Sequence, residues 1–380
     1  MINTSGKTAR KFTSDPYSTD EASLSSTGYT WLTEEDYRFL QKRLDPLHVD
    51  LRLRTEADHE SKVLARGERY FRSIENWAPS RLVIETCLKL TGLYRRGRRN
   101  AAQIDVRHHC VNSPLIPQSF HGYTILHLSD LHIEMSKDAM ARLVEVLKNI
   151  RYDLCVLTGD YRGQDCGPYD TTLASMSDIC GHFKKPVYGV LGNYDTVCML
   201  RGLEEMGIRM LINENETIEN NGQCIYLAGV DDAHFYRADN IEKAASGIPN
   251  GEFSILLSHT PEIYRQAARA DFNVLLAGHT HGGQICLPGK IAITLGSVLP
   301  RHMAAGTWKY RNLIGYTSVG VGSCVAPVRF NCPRRSRCTI CNVVEYVGVR
   351  QLGRWDSIVA RLARRNGRNR RMRLRPVQRG

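Results

Sequence analysis

The chain has 380 residues and a net charge of +12, enough for one large core with appendages. An apolar fraction of 42% and a charged fraction of 24% exclude wholesale disorder, collagen-like repeats and a coiled coil. Residues 361–380 hold nine arginines and no acid, so most of the excess charge belongs to a C-terminal arm, which suits an anionic polymer or an anionic membrane surface.

Taken in chain order, the opening stretch MINTSGKTARKF carries no apolar h-region, so no secretory leader is expected. Residues 1–30 contain twelve Ser or Thr and few large aliphatics, and are expected to be disordered. Residues 31–118 are read as a helical extension. Thr33 followed by Glu35 and Asp36 marks a helix start, with apolar residues at helical intervals from Tyr37 to Leu51. A second helix is predicted over about 79–94, with Val83, Ile84, Cys87, Leu88 and Leu90 near one face and Arg95, Arg96, Arg98 and Arg99 directly after it. Such a segment suits a lipid interface; the alternative is a helix packed on the main domain with a solvated basic end.

Residues 119–350 form the main domain and 351–380 the Arg-rich tail. Short apolar runs at Tyr123–Leu128, Leu154–Leu157, Val187–Leu191, Cys224–Val230, Ser254–Leu257 and Phe272–Leu276 alternate with helical stretches. One of these, Asp138–Ile150, is an amphipathic helix. Strands separated by helices predict a layered α/β (α+β) core with much parallel sheet, whose site gathers beyond the carboxyl ends of the strands. The twelve cysteines are scattered, which fits a reduced, cytosolic set of thiols. Their one cluster, Cys324, Cys332, Cys338 and Cys341, matches no standard zinc spacing.

The chemistry sits at the run ends. They read Ser129-Asp130-Leu131-His132, Thr158-Gly159-Asp160, Gly192-Asn193-Tyr194-Asp195, Ser258-His259-Thr260 and Gly278-His279-Thr280-His281. Any one of these is common; five in this order, each at a strand end, are not. Carboxylates, imidazoles and an amide without thiolate suit Mn²⁺, Fe or Zn²⁺ better than Ca²⁺ or Mg²⁺ alone. Asp195 reads as a residue that orients the loop. His127, His108, His109 and Cys110 read as structural or solvated, while Arg301 and Arg329 are candidates to meet a substrate phosphate.

The series D-x-H, G-D, G-N-x-D, His, G-H-x-H resembles the calcineurin-like metallophosphoesterases over residues 122–347. The stretches GHTHGGQICL and SVGVGSCVAPVRFNCP resemble more specifically the bacterial membrane-associated branch, which includes phosphodiesterases and UDP-2,3-diacylglucosamine hydrolases of the lipid A pathway. The resemblance implies a β-sandwich flanked by helices and two divalent ions, Mn²⁺ foremost with Fe or Zn as alternatives. It implies that Asp130, His132, Asp160 and His281 hold one ion, and that Asp160, Asn193, His259 and His279 hold the other, with Asp160 bridging. The activity implied is hydrolysis of a phosphodiester or a pyrophosphate.

Tyr194 departs from the family pattern, in which His after the Asn protonates the leaving oxygen. A phenol with an ordinary pKa near 10 relays a proton poorly at pH 7. An alkoxide needs that proton and a phosphate leaving group hardly does. The expected substrate is therefore a pyrophosphate in a nucleotide-linked lipid such as UDP-2,3-diacylglucosamine, with Asp160, Asn193 and Tyr194 at the reacting centre. The expected place is the cytoplasmic side, peripherally on the inner face of the membrane. Alternatively another His, such as His234, supplies the acid. Two other functions stay open: a phosphodiesterase acting on nucleic acid or a cyclic nucleotide, and a binding protein with a degenerate enzyme domain.

Overall fold

The computed structural model describes residues 32–66, 78–289, 291–332 and 336–343. The expectations for residues 1–30 and for the Arg-rich tail fall outside these, as do the side chains of Cys338 and Cys341.

In chain order the strands are β1 (Ile104–Cys110), β2 (Tyr123–Leu128), β3 (Leu154–Thr158), β4 (Val187–Val190), β5 (Ile208–Met210), β6 (Glu214–Asn220), β7 (Gln223–Gly229), β8 (Ser254–Leu257), β9 (Val274–Ala277), β10 (Cys286–Leu287), β11 (Ile291–Ala292), β12 (Gly306–Tyr310), β13 (Leu313–Thr317) and β14 (Ser336–Val343). One sheet runs β1-β14-β2-β3-β4-β5 and the other β12-β13-β9-β8-β7-β6; β10 and β11 form a separate hairpin. Within them β2-β3-β4-β5 and β7-β8-β9-β13 are parallel, and β14, β6 and β12 each join by an antiparallel pairing.

Alternation along each strand sends side chains to opposite faces, and both faces of the central strands β3, β4, β8 and β9 are buried. Ile125, Val156, Val190, Leu227, Leu257 and Leu276 meet between the two sheets. Leu126, Leu128, Cys155 and Leu157 point the other way, under helices. The result is two sheets face to face with helices outside, the layered class read from the sequence. The helices α5 (Lys137–Asn149), α6 (Asp170–Cys180) and α7 (Leu200–Glu205) cover the first sheet; α8 (Ile241–Ala245) and α9 (Tyr264–Arg269) cover the second.

The N-terminal segment begins with α1 (Glu34–Arg43), α2 (Pro46–Arg66), α3 (Ala78–Leu90) and α4 (Tyr94–Ala101). Thr33 caps α1 by accepting from Asp36 N at 3.1 Å. The run from Tyr37 to Leu51 is not one helix. It breaks before Pro46, which cannot continue a helix but suits a first turn, where Asp45 Oδ1 accepts from Leu47 N and His48 N. Leu40, Leu44, Val49 and Leu53 are buried in the outer core of the first sheet with Met199, Leu200 and Leu203. Each fully buried Leu contributes about 1.5–3 kcal/mol, so α1 and α2 belong to the core.

The helix α3 leaves Leu82, Val83 and Leu90 exposed. On α4, Gly97 is buried where a side chain would strike Phe330, and its carbonyl accepts from Arg329 N at 3.1 Å. Residues 104–110, read from the sequence as part of the helical extension, form the edge strand β1. No helix among the described residues is long and apolar enough to cross a membrane.

Candidate metal centre

The parallel strands of both sheets deliver their carboxyl ends to one rim. There β2 places Asp130 and His132, β3 places Asp160, β4 leads to Asn193, β8 to His259 and β9 to His279 and His281. Six of the seven predicted ligands form two overlapping buried sets. Donor atoms of Asp130, His132, Asp160 and His281 lie within 4.8 Å of one another, as do those of Asp160, His259 and His279. Asp160 Oδ2 stands between them, 3.5 Å from His132 Nε2 and 3.3 Å from His259 Nε2. On the far side, Asp130 Oδ1 is 3.4 Å from His281 Nε2.

The backbone is strained to achieve this. Asp130 (φ 52°), His132 (39°), Asp160 (58°), His279 (69°) and His281 (48°) all occupy the left-handed region, where a non-glycine residue costs on the order of 1 kcal/mol or more. The loops also approach closely. At Gly192 any side chain would collide with Asp160 Oδ1 and lie 2.9 Å from His259 Nδ1.

Divalent cations fit this donor set. Asp130 Oδ2 and Asn193 Oδ1 are buried and have no hydrogen-bond partner, which is costly for an oxygen unless a cation takes it. Ring nitrogens face each other at 3.1 Å (His132 Nε2 and His281 Nε2) and 3.2 Å (His279 Nδ1 and His259 Nε2). Each pair is close enough to share a proton, which a bound cation would displace. The remaining ring nitrogens are held from outside. His132 Nδ1 donates to Arg162 O at 2.6 Å, His259 Nδ1 to Thr158 O at 2.8 Å, and His279 Nε2 to Gly296 O at 3.3 Å. Those bonds fix tautomers that turn the other nitrogen inward.

Charge follows the same logic. Burial disfavours the His259 cation, but Asp160 beside it outweighs burial and pushes the imidazole up to about 10. Burial and His234 push His279 down to about 3. Burial opposes ionisation of Asp160, yet His259 and His132 hold it below the usual carboxylate range. A cluster with this much negative charge among imidazoles exchanges protons for metal.

Asn193 and Tyr194 follow on one turn. Tyr194 N donates to Asp160 Oδ1 at 2.9 Å, and its ring meets His132 edge-on with centroids 5.0 Å apart. Asp195 orients loops, as its place in the sequence suggests. Its Oδ2 accepts from Asp160 N (2.7 Å) and Gly192 N (2.8 Å), and its Oδ1 from Tyr161 N (2.9 Å).

His127 is a core residue, bonded to Thr158 Oγ1 at 2.8 Å and pushed down to about 3 by burial. The expectation that Arg329 meets a phosphate fails. Its buried guanidinium donates to Val319 O at 2.6 Å and Gly322 O at 2.7 Å, leaving it behind the His281 loop. Arg301 Nη1 donates to Ala292 O at 2.8 Å and so braces the β10–β11 hairpin.

Sequence reading missed three contributors. Arg52 and Glu56 of α2 bond to the Asp195–Val197 backbone and the Thr196 hydroxyl. A signal was available: both share the helix stripe of Val49 and Leu53, where charge is out of place. Glu262 holds His234 Nδ1 at 2.8 Å, setting that ring 4.2 Å from the His279 ring.

Residues 123–283 match the model of the calcineurin-like phosphoesterase family. The chain is 31% identical over 218 residues to the uncharacterized metallophosphoesterase YkoQ of Bacillus subtilis, covering 54% of this chain and 78% of that protein. It is 28% identical to a zebrafish (Danio rerio) transmembrane protein with a metallophosphoesterase domain, over 69% of this chain and 61% of that one. With the Escherichia coli phosphodiesterase YaeI it shares 25% identity over 55% of this chain and 78% of that enzyme. The buried His/Asp cluster and these likenesses agree: the chain belongs to the calcineurin-like metallophosphoesterase family and is a metal-dependent phosphoester hydrolase.

Proposed function

We propose that the chain hydrolyses the pyrophosphate bond of a lipid-linked nucleotide such as UDP-2,3-diacylglucosamine at an anionic membrane surface, using two ions, Mn²⁺ foremost. The observation that carries this reading is a cavity of about 240 Å³ that opens beside His279 and His281 and is walled by Ile84, Ile285, Ile293, Val325 and Ala326. Apolar walls next to a site for a charged group suit an amphiphile. Leu82 and Leu90 on α3, Leu287 and Ile291 on the β10–β11 hairpin, and Val298 beyond it are exposed. Arg95, Arg96 and Arg99 on α4 are exposed as well, each adding about 1 kcal/mol near anionic lipid.

At the reacting centre, two divalent cations would supply polarisation of the phosphoryl oxygens and water acidified to near neutral pH. The first would take Asp130, His132, Asp160 and His281, the second Asp160, Asn193, His259 and His279. Tyr194 N fixes Asp160 Oδ1, which leaves Oδ2 between the two sets. Tyr194 offers a hydrogen bond to a departing phosphate, which needs no stronger acid.

A second reading, a phosphodiesterase, is favoured by His234. Its Nδ1 is engaged by Glu262, and its Nε2 is left to protonate an alkoxide. Comparing turnover of UDP-2,3-diacylglucosamine with that of its deacylated counterpart tests the proposal. The acyl chains should improve kcat/KM at least tenfold, and Ile84→Glu should remove that advantage. Equal turnover of both substrates contradicts it.

A further inference from the structure

We propose that α2 is part of the metal centre, with Arg52 and Glu56 as positioning residues for the turn that carries Asn193. The inference rests on the two-ion reading above and concerns residues outside the matched family segment.

Arg52 has no exposed side-chain surface. Its Nη2 donates to Asp195 O at 2.9 Å, its Nε donates to Asp231 Oδ2 at 3.2 Å, and its Nη1 lies 3.1 Å from Glu56 Oε1. The guanidinium is stacked 3.3 Å from the centroid of the Tyr236 ring. One turn further along, Glu56 Oε2 accepts from the Thr196 hydroxyl at 2.5 Å and Oε1 from Val197 N at 2.9 Å. Two charged side chains of a single helix therefore grip residues 195, 196 and 197, immediately after Asn193 and Tyr194.

The grip continues inward. The carboxylate of Asp195 accepts from Asp160 N and Gly192 N, so holding the Asp195 backbone also holds the loop of the bridging residue. Through Asp231, Arg52 reaches the end of β7, where Asp232 accepts from His234 N and Tyr236 N. That loop carries His234, whose ring lies 4.2 Å from that of His279. The second route ends on His279, and the first on the turn of Asn193 and on Asp160, which the two sets share. Neither Arg52 nor Glu56 touches Asp130, His132 or His281.

A buried cation between two buried acids is a weak source of stability, because desolvation offsets most of the attraction; apolar residues of equal volume hold a helix as well. What a guanidinium fork and a carboxylate add is direction, since each fixes two or more groups at set angles. The network therefore fixes where Asn193 stands.

The test is Mn²⁺ binding to the full-length protein, followed by the electron paramagnetic resonance signal of free Mn²⁺, with circular dichroism melting alongside. Wild type should bind two ions. In Arg52→Lys and Glu56→Ala the weaker step should lose at least tenfold in affinity, and more than the tighter step, which feels the change through Asp160 alone. Glu56→Gln, whose amide oxygen still accepts from Val197 N, should recover most of the loss. Thr196→Val removes only the hydroxyl that donates to Glu56 Oε2 and accepts from Cys198 N, and it decides the matter if the other two variants do not fold; it should weaken the second step more than the first. Folded variants with both steps unchanged would overturn the proposal. A wild type that binds one ion would contradict the two-ion reading instead.

Discussion

Asp195 binds no ion in this account, yet its Oδ2 accepts the backbone N–H of Asp160 at 2.7 Å, so one carboxylate sets the loop of the other. Asp195→Asn would turn an NH₂ group toward donors that need an acceptor. An unmet buried donor costs about 1–3 kcal/mol. Urea unfolding should show a loss in that range, and kcat should fall at least tenfold with KM little changed.

Metal removal should act on stability as well as on turnover. A ligand at 100 times its Kd stabilises the folded state by about 2.7 kcal/mol. Dialysis against chelator should lower the melting temperature and abolish hydrolysis, and Mn²⁺ should restore both. Asp160→Ala removes the bridging donor, so Mn²⁺ should raise its melting temperature far less.

The His234–Glu262 pair predicts a pH signature. Burial lowers the His234 pKa, but the Glu262 carboxylate outweighs burial and leaves the imidazole above its ordinary value. A raised folded-state pKa means stability that is fully present below the unfolded value of about 6.5 and lost as pH rises through the folded one. Wild type should therefore exceed Glu262→Gln in stability most at pH 5.5–6, and the gap should close by pH 9. Melting of both proteins across that range checks it.

The two apolar environments of the N-terminal helices should respond oppositely. Leu53 on α2 is fully buried, and Leu53→Ala should cost about 2–5 kcal/mol. Leu90 on α3 is 83% exposed, so Leu90→Ser should change stability by less than about 0.5 kcal/mol. It should instead weaken binding to anionic vesicles in a flotation assay. Unchanged flotation would remove α3 from the membrane account.

Much of this was legible in the sequence because strands buried on both faces read as unbroken apolar runs, and the ligands follow those runs directly. The strands β2 and β8 coincide with predicted runs for that reason. The edge strand β6, Glu214–Asn220, escaped notice because only Ile218 is buried among polar neighbours. The edge strand β1 was hidden because it pairs with β14, which lies more than 200 residues further along the chain. The charge of Arg52 stands out on an apolar stripe, but its partner Asp231 is 179 positions away, so the stripe does not reveal what it holds. Patterns report local burial, whereas the groups that hold a ligand in place are chosen by the completed fold.

The most direct measurement is Mn²⁺-dependent release of UMP from UDP-2,3-diacylglucosamine, run beside bis-p-nitrophenyl phosphate with the Asp160→Ala variant as blank. Rapid turnover of the lipid with little action on the diester is the predicted result. Turnover of the diester alone would keep the hydrolase and contradict the pyrophosphate assignment.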